Sequence, residues 1–163
     1  AKLGDQERYD QFRRLSEEAE TPQETLRFLN ALAMFRDKKL LKETIKLCLT
    51  DEVRSQDAPF LFAVLIGNQY AGADAWKFLK KNFDKMVKAY PQSGVVRMCG
   101  AAHALDTEDL ADDVRQFFTE TKVKAGAMAV AQMLEQLDIN VRMRKEQTVR
   151  LVNHLKVKDE VTV

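Results

Sequence analysis

Two histidines and two cysteines are the side chains of this 163-residue sequence best suited to metal or nucleophilic chemistry, and their spacing argues against both. A hydrolytic zinc site needs two histidines one helical turn apart, with a glutamate beside the first as base. His103 and His154 are fifty-one residues apart, neither sits in HExxH, and neither has a glutamate three residues before it, which also removes the di-iron ExxH pairing. There is no CxxC, no phosphate-binding glycine loop and no GxSxG. Both histidines therefore read as packed or partly exposed side chains. Cys48 and Cys99 fall on different predicted helices and read as buried thiols in a reducing compartment, which predicts a cytoplasmic chain. No residue is assigned a catalytic or metal-ligating role, and no cofactor is expected in this chain.

Two other groups have a binding reading and a plainer one. Arg142, Arg144, Lys145, Arg150, Lys156 and Lys158 form a basic group, but no aromatic stands among them to stack on bases, and Glu146, Asp159 and Glu160 dilute the charge. They read as a solvated helix surface rather than a nucleic-acid face. Trp76, Phe78 and Phe83 could line a ligand pocket, yet their helical spacing reads as core. With 26 basic and 25 acidic residues the net charge is +1, which removes the global electrostatic argument for nucleic acid or an anionic membrane. The longest apolar run, Ala58 to Gly67, is about half a bilayer span.

The elements that would position these residues are helices. Six glycines and three prolines are few for this length, and Ala, Leu, Lys, Glu and Gln are abundant. Seven or eight helices are predicted. The first runs from about Asp5 to Ala19, with Tyr9, Phe12 and Leu15 on one stripe. Thr21-Pro22-Gln23-Glu24 has the form of a capping box and starts the second, which carries Leu26, Leu29 and Ala33. Asp37 caps a third, with Leu41, Ile45, Cys48 and Leu49. Asp57-Ala58-Pro59 opens a fourth, apolar on every side from Phe60 to Ile66, so neighbours must cover it. Gly67-Asn68 predicts a left-handed end to that helix. The fifth spans about Asp74 to Tyr90, with a seam of Trp76, Leu79, Phe83, Met86 or Val87, and Tyr90. The sixth covers about Ser93 to Leu105, and Thr107-Glu108-Asp109 opens a seventh with Leu110, Val114 and Phe117. From Ala125 to about Lys156 the pattern is one bent helix or two, the stripe being interrupted at Arg144 and Lys145.

Short amphipathic helices with short connections predict an all-α fold of antiparallel helical hairpins, stacked as an α-α superhelix over residues 1–163. A closed bundle is the other arrangement. No repeat of fixed period is visible in the sequence.

Two blocks are more specific than composition. Val53-Arg54-Ser55-Gln56-Asp57 and Ala75-Trp76-Lys77-Phe78-Leu79-Lys80-Lys81-Asn82-Phe83-Asp84-Lys85 resemble the VRxQD and AWxFxKxNWD patterns of aminopeptidase-N-type zinc aminopeptidases, in the puromycin-sensitive and endoplasmic-reticulum branch. Val114-Arg115-Gln116-Phe117-Phe118 and Leu134-Glu135-Gln136-Leu137-Asp138-Ile139-Asn140 follow in the family's order, so the resemblance covers about Gly4 to Leu155. Phe83 stands where the family usually has tryptophan, and Met143-Arg144 where it tends to Trp-Leu. Gly126-Ala127-Met128 matches the start of the family's GAMEN motif, but Ala129 and Val130 follow, in a helical pattern; it is a coincidence.

The resemblance implies the later half of a C-terminal helical domain, similar to HEAT or armadillo arrays, that forms a bowl over a catalytic domain and limits peptide access. Zinc and the residues that cleave are implied to lie upstream, in the parent's catalytic domain. The implied partners are that upstream domain and peptide substrates, with neither nucleic acid nor membrane. Arg54, Gln56 and Asp57 are the only motif residues offered for substrate contact. Their structural reading is Asp57 capping a helix while Arg54 and Gln56 bond loop carbonyls. A free-standing helical scaffold that binds a protein or peptide on its concave face is the second reading. A solenoid cut across its stack should also expose apolar side chains around Phe12, Leu15 and Phe28, with self-association as one way to cover them.

Overall fold

The computed structural model describes residues 4–121, 123 and 126–161, the last six of these by backbone alone. The described residues are all-helical, with eight α-helices and one 3-10 turn and no strand among them: α1 (Gln6–Glu18), α2 (Pro22–Leu32), α3 (Lys38–Leu47), α4 (Ala58–Gly67), α5 (Gly72–Ala89), α6 (Gln92–Gly100), the 3-10 turn (Ala101–Ala104), α7 (Glu108–Glu120) and α8 (Ala127–Val161). Most helices pack on neighbours one or two places along the chain, as a stacked α-α superhelix does.

Side-chain caps explain the first three helix starts. Asp5 accepts from the Arg8 amide at 3.1 Å, Thr21 from Glu24 at 3.2 Å, and Asp37 from Lys39 and Leu40 at 2.8 and 3.1 Å. Each cap satisfies amides that the first helical turn leaves without an intrahelical partner. The Thr21 box is half formed, since among the described residues Glu24 returns no side-chain bond to the Thr21 amide.

α4 occupies the centre. Leu61, Phe62, Leu65 and Ile66 are buried against α2, α3, α5, α6 and the 3-10 turn, which supplies the covering that its all-round apolar sequence requires. Phe60 is the large exception on this helix, and the Arg97 guanidinium lies 4.7 Å from its ring centroid. Tyr9 ties α1 to α3: its hydroxyl is 2.9 Å from Thr44 Oγ1, which donates to the Leu40 carbonyl, and its ring meets Phe35 edge-on. Cys48 and Cys99 are buried, and burial pushes the Cys99 thiol up to about 12 and the Cys48 thiol higher still, so neither forms thiolate readily.

Several expectations need correction. α4 does not end in a left-handed residue: Asn68 has φ −81° and ψ 121°, and no described residue has positive φ. Instead, the Asn68 amide donates to the Ala33 and Phe35 carbonyls at 2.8 and 3.0 Å, and its oxygen accepts from the Tyr70 amide. The side chain holds the end of α4 to the end of α2, so no special backbone conformation is needed. α5 begins at Gly72 rather than near Asp74, and its seam uses Met86, with Val87 exposed. The sixth helix stops at Gly100, where the chain tightens into the 3-10 turn and His103 Nδ1 donates to the Gly100 carbonyl at 2.7 Å.

The last segment is one helix, α8, rather than two. Arg144 and Lys145 interrupt its stripe because Asp106 and Glu108 receive them at 2.8 and 2.9 Å. The predicted start at Ala125 lies outside the described residues, as do the side chains of Lys156 and Lys158. Phe12, Leu15 and Phe28 are half-buried rather than openly exposed, with Phe12 against Phe28 and Phe35. The more exposed apolar side chains lie at the other end, on α8.

Candidate functional site

The connection from α3 to α4 places Arg54 and Asp57 beside the α1–α2 turn. A cleft of about 260 Å³ there is lined by Glu20, Thr21, Thr25, Glu52, Arg54 and Asp57, among others. Arg54 donates through Nε to Asp57 Oδ2 at 2.7 Å, and its Nη2 lies 2.6 Å from the same oxygen. Asp57 therefore does not cap α4 through its side chain, as expected, and Arg54 does not bond loop carbonyls. The cap is replaced by an ion pair, while the Arg54 carbonyl itself accepts from the Asp57 and Ala58 amides at 2.8 and 3.0 Å. Gln56 is exposed and makes no side-chain bond among the described residues.

What this cluster can do chemically follows from its commitments. The Thr21 hydroxyl accepts from the Glu24 amide, the Thr25 hydroxyl donates to the Thr21 carbonyl at 3.2 Å, and Arg13 reaches Glu52. Neither imidazole nor thiol lines the cleft. A guanidinium held by a carboxylate can brace a loop. Arg54 and Asp57 thus brace each other, and neither makes the bond expected of it.

The second block builds an aromatic cluster with a charged edge. Trp76 from α5 is buried with its ring edge-on to Phe117 of α7 (centroids 5.2 Å, 82°) and tilted to Phe118 (6.0 Å). Phe83 also meets Phe117 edge-on at 5.2 Å. Edge-to-face contact of this kind is worth about 0.5–1.5 kcal/mol beyond the area buried. The indole Nε1 donates to Asp113 Oδ2 at 2.6 Å, and Lys80 Nζ lies 2.6 and 2.5 Å from the two Asp113 oxygens. Trp76 and Phe83 are therefore core, as their spacing implied, and Phe78 packs on Phe62.

Asp113 had no signal of its own in the sequence. Only its place on α7, immediately before Val114-Arg115-Gln116-Phe117-Phe118, could have pointed to it. Partial burial pushes its carboxyl up, but the hydrogen bonds from Lys80 and Trp76 and the Lys80 charge outweigh this and hold it below the ordinary aspartate value. A depressed carboxyl adds stability above its unfolded pKa, about 3.9, which is lost as pH falls through the lower native value. The side chain is 39% exposed, so solvent screens the contribution. Thermal melts from pH 5 to 2.5 should therefore show wild type losing Tm modestly more steeply below about pH 4 than Asp113→Asn; parallel curves would remove the coupling.

Two of the blocks quoted from the sequence, 75–85 and 114–118, thus meet in space through side chains of α5 and α7. Across the same edge of the stack, Arg115 joins α7 to α8 through Asp138 at 3.0 and 2.6 Å, and the Asn140 amide reaches the His103 carbonyl at 2.8 Å. The family model described as "ERAP1-like C-terminal domain" matches residues 1–139. This chain belongs to that family, the C-terminal domain of M1-type aminopeptidases.

Named relatives agree with the ERAP1-like assignment. The chain is 34% identical to Aminopeptidase M1-B of Oryza sativa subsp. japonica over 137 residues, covering 82% of this chain and 15% of the relative. It is 26% identical to Aminopeptidase 2, mitochondrial, of Saccharomyces cerevisiae over 83% of this chain and 14% of that protein. With human Endoplasmic reticulum aminopeptidase 1 it shares 26% identity over 63% of this chain and 11% of the relative. The chain spans about 15% of the length of the first of these. Within the ERAP1-like match lie Trp76, Asp113, Phe117 and Asp138; the far half of α8 lies beyond it.

Among the described residues no three His, Cys, Asp or Glu side chains converge as a metal site would require. His103 is bonded to Gly100, His154 is exposed on α8, and the two thiols are buried and protonated. No described helix is long and apolar enough to cross a membrane.

Proposed function

We propose that this chain is the non-catalytic helical cover of an aminopeptidase. It lies over the active-site chamber and restricts or assists the entry of peptides, while an upstream catalytic domain of the same polypeptide removes residues from the peptide N-terminus. The observation that carries this reading is that the family-like residues are spent on packing and bracing. Trp76, Phe83, Phe117 and Phe118 form an aromatic lock, and Arg54 and Asp57 brace a loop. A chain so arranged contributes shape and electrostatics to a reaction rather than bond-breaking groups.

Zinc belongs to the same proposal only as a group of the parent's upstream domain, where it would polarise the scissile carbonyl and activate water. The residues of this chain do not fit it, because no set of donors converges among those described. A cytoplasmic location is proposed on the protonated, unpaired thiols of Cys48 and Cys99.

The test has two parts. The polypeptide alone should neither hydrolyse aminoacyl anilides nor keep stoichiometric zinc after dialysis, and turnover with bound metal overturns the reading. The reading frame upstream of Ala1 should contain HExxH in phase. A start codon immediately before Ala1 would instead favour a free-standing scaffold with a peptide or protein on its concave face.

A further inference from the structure

The outward faces of α3 and α5 are rich in lysine. On α3, Lys38, Lys39, Lys42 and Lys46 are exposed, while Leu40, Leu41, Thr44 and Ile45 are buried. On α5, Lys77, Lys81, Lys85 and Lys88 are exposed, while Trp76, Leu79, Phe83 and Met86 are buried. The two helices pack on each other, and Lys42 reaches across to Asp74 at 3.6 Å, which joins the two rows into one face.

The net charge of +1 conceals this face, because the compensating carboxylates lie elsewhere in the fold. From Arg36 to Asp51 and from Gly72 to Ala89, ten cations stand against five carboxylates. Lys80 is spent on Asp113 of α7, which leaves nine against five. Among the described residues, Lys42 is the only lysine of the two rows that pairs with a carboxylate. Lys38, Lys42 and Lys46 follow one another four residues apart, as do Lys77, Lys81 and Lys85. Like charges one turn apart repel and weaken the helix that carries them, whereas glutamate in alternate places would strengthen it and keep it equally soluble. An anionic partner relieves that repulsion.

Three properties select the partner. Neither helix exposes an aromatic ring for bases to stack on, since Trp76 and Phe83 are buried and Phe78 is half-buried against Phe62. The face is also narrow. α7, the neighbour of α5, stays acidic after its pairs are counted, with five carboxylates against Arg115 and the two lysines that reach it, Lys80 and Lys145. Packed helices lie about 8–10 Å apart, within about one Debye length at 0.1 M salt, so a broad anionic surface such as a membrane is repelled at α7. Finally, the cations of α3 and α5 are lysines without arginine, which suits a dense run of carboxylates rather than bidentate capture of a single group. We propose that this face docks an acidic segment of another protein, a run of Asp and Glu laid along α3 and α5. Lys77 to Lys88 covers about 16 Å of helix, the length of about five extended residues. Nothing in this docking depends on peptide cleavage.

Fluorescence anisotropy of a fluorescein-labelled peptide of about ten Asp and Glu residues, twice that span, tests it. Wild type should bind at about 50 mM salt and lose about tenfold or more in affinity at about 300 mM. Lys77→Glu with Lys81→Glu and Lys85→Glu should weaken binding about tenfold or more, and so should Lys39→Glu with Lys46→Glu, while arginine at the same positions retains it. Arg142→Glu with Arg150→Glu, on the far part of α8, should change affinity by less than about twofold. All these side chains are exposed, and far-UV circular dichroism checks that each variant folds. Phosphatidylserine vesicles and duplex DNA, added at equal anionic charge, should displace the labelled peptide less than its unlabelled copy does. Equal or better displacement by either one assigns the face to lipid or nucleic acid and overturns the proposal. A wild type that does not bind, or an α8 variant that loses as much as the α5 variant, overturns it as well.

Discussion

Trp76→Ala should lower the free energy of unfolding by about 4 kcal/mol, read as a shift of the urea midpoint at unchanged slope. The indole is 1% exposed and lies between Phe117 and Phe118, so truncation leaves a void lined by rings that cannot collapse without moving α7. It also removes the Nε1 donor from Asp113, which keeps only Lys80. Trp76→Phe separates the two effects. It retains most of the packing and loses the donor, so it should cost about 1–2 kcal/mol, mostly the hydrogen bond to a charged acceptor. Equal losses for the two variants would mean that the hydrogen bond, not the ring packing, dominates. Since a domain of this size is stable by about 5–15 kcal/mol, the alanine variant should approach global unfolding at modest temperature.

Gly72→Ala should destabilise by about 1–3 kcal/mol, while Gly67→Ala should be neutral or stabilising by up to about 1 kcal/mol. A Cβ on Gly72 would sit 2.6 Å from the Ile66 carbonyl oxygen and 3.2 Å from Leu105 Cδ2. The first of these is backbone, so α4 and α5 must separate to admit a methyl group. Gly67 ends α4 with nothing within 4 Å of an added Cβ, so there only the glycine's extra unfolded-state entropy is removed. The opposite signs at two glycines five residues apart make the pair diagnostic. Thermal melts of both variants check it, and a shared sign would refute the close approach of α4 and α5.

Much of the fold was readable from the sequence because helix formation is a local affair. The apolar stripe of α5 at Trp76, Leu79, Phe83 and Met86 repeats with the period of the helix itself. Thr21 and Asp37 reach amides two or three residues ahead, so their caps needed no knowledge of the rest of the chain. The apolar surround of α4 required cover on most sides, and the stack supplies it. The reading of Arg54, Gln56 and Asp57 shows where such reasoning stops. Their order marked them out, but which atoms bond depended on whether the loop turned Arg54 toward a carbonyl or back toward Asp57.

By itself, then, the sequence determined that the chain is helical, where most helices begin, which face of most is apolar, and that it lacks the spaced ligands of a zinc hydrolase. The tertiary structure alone decided that Asp113 would receive both Trp76 and Lys80, that Asn68 would end α4 by gripping two carbonyls of the preceding α2 end, and that α8 would run on uncovered with its cations beside its aliphatics. The reason is one of range. Caps and stripes are set by atoms within a turn or two, whereas these partners stand about thirty-five residues apart, brought together by how whole helices stack.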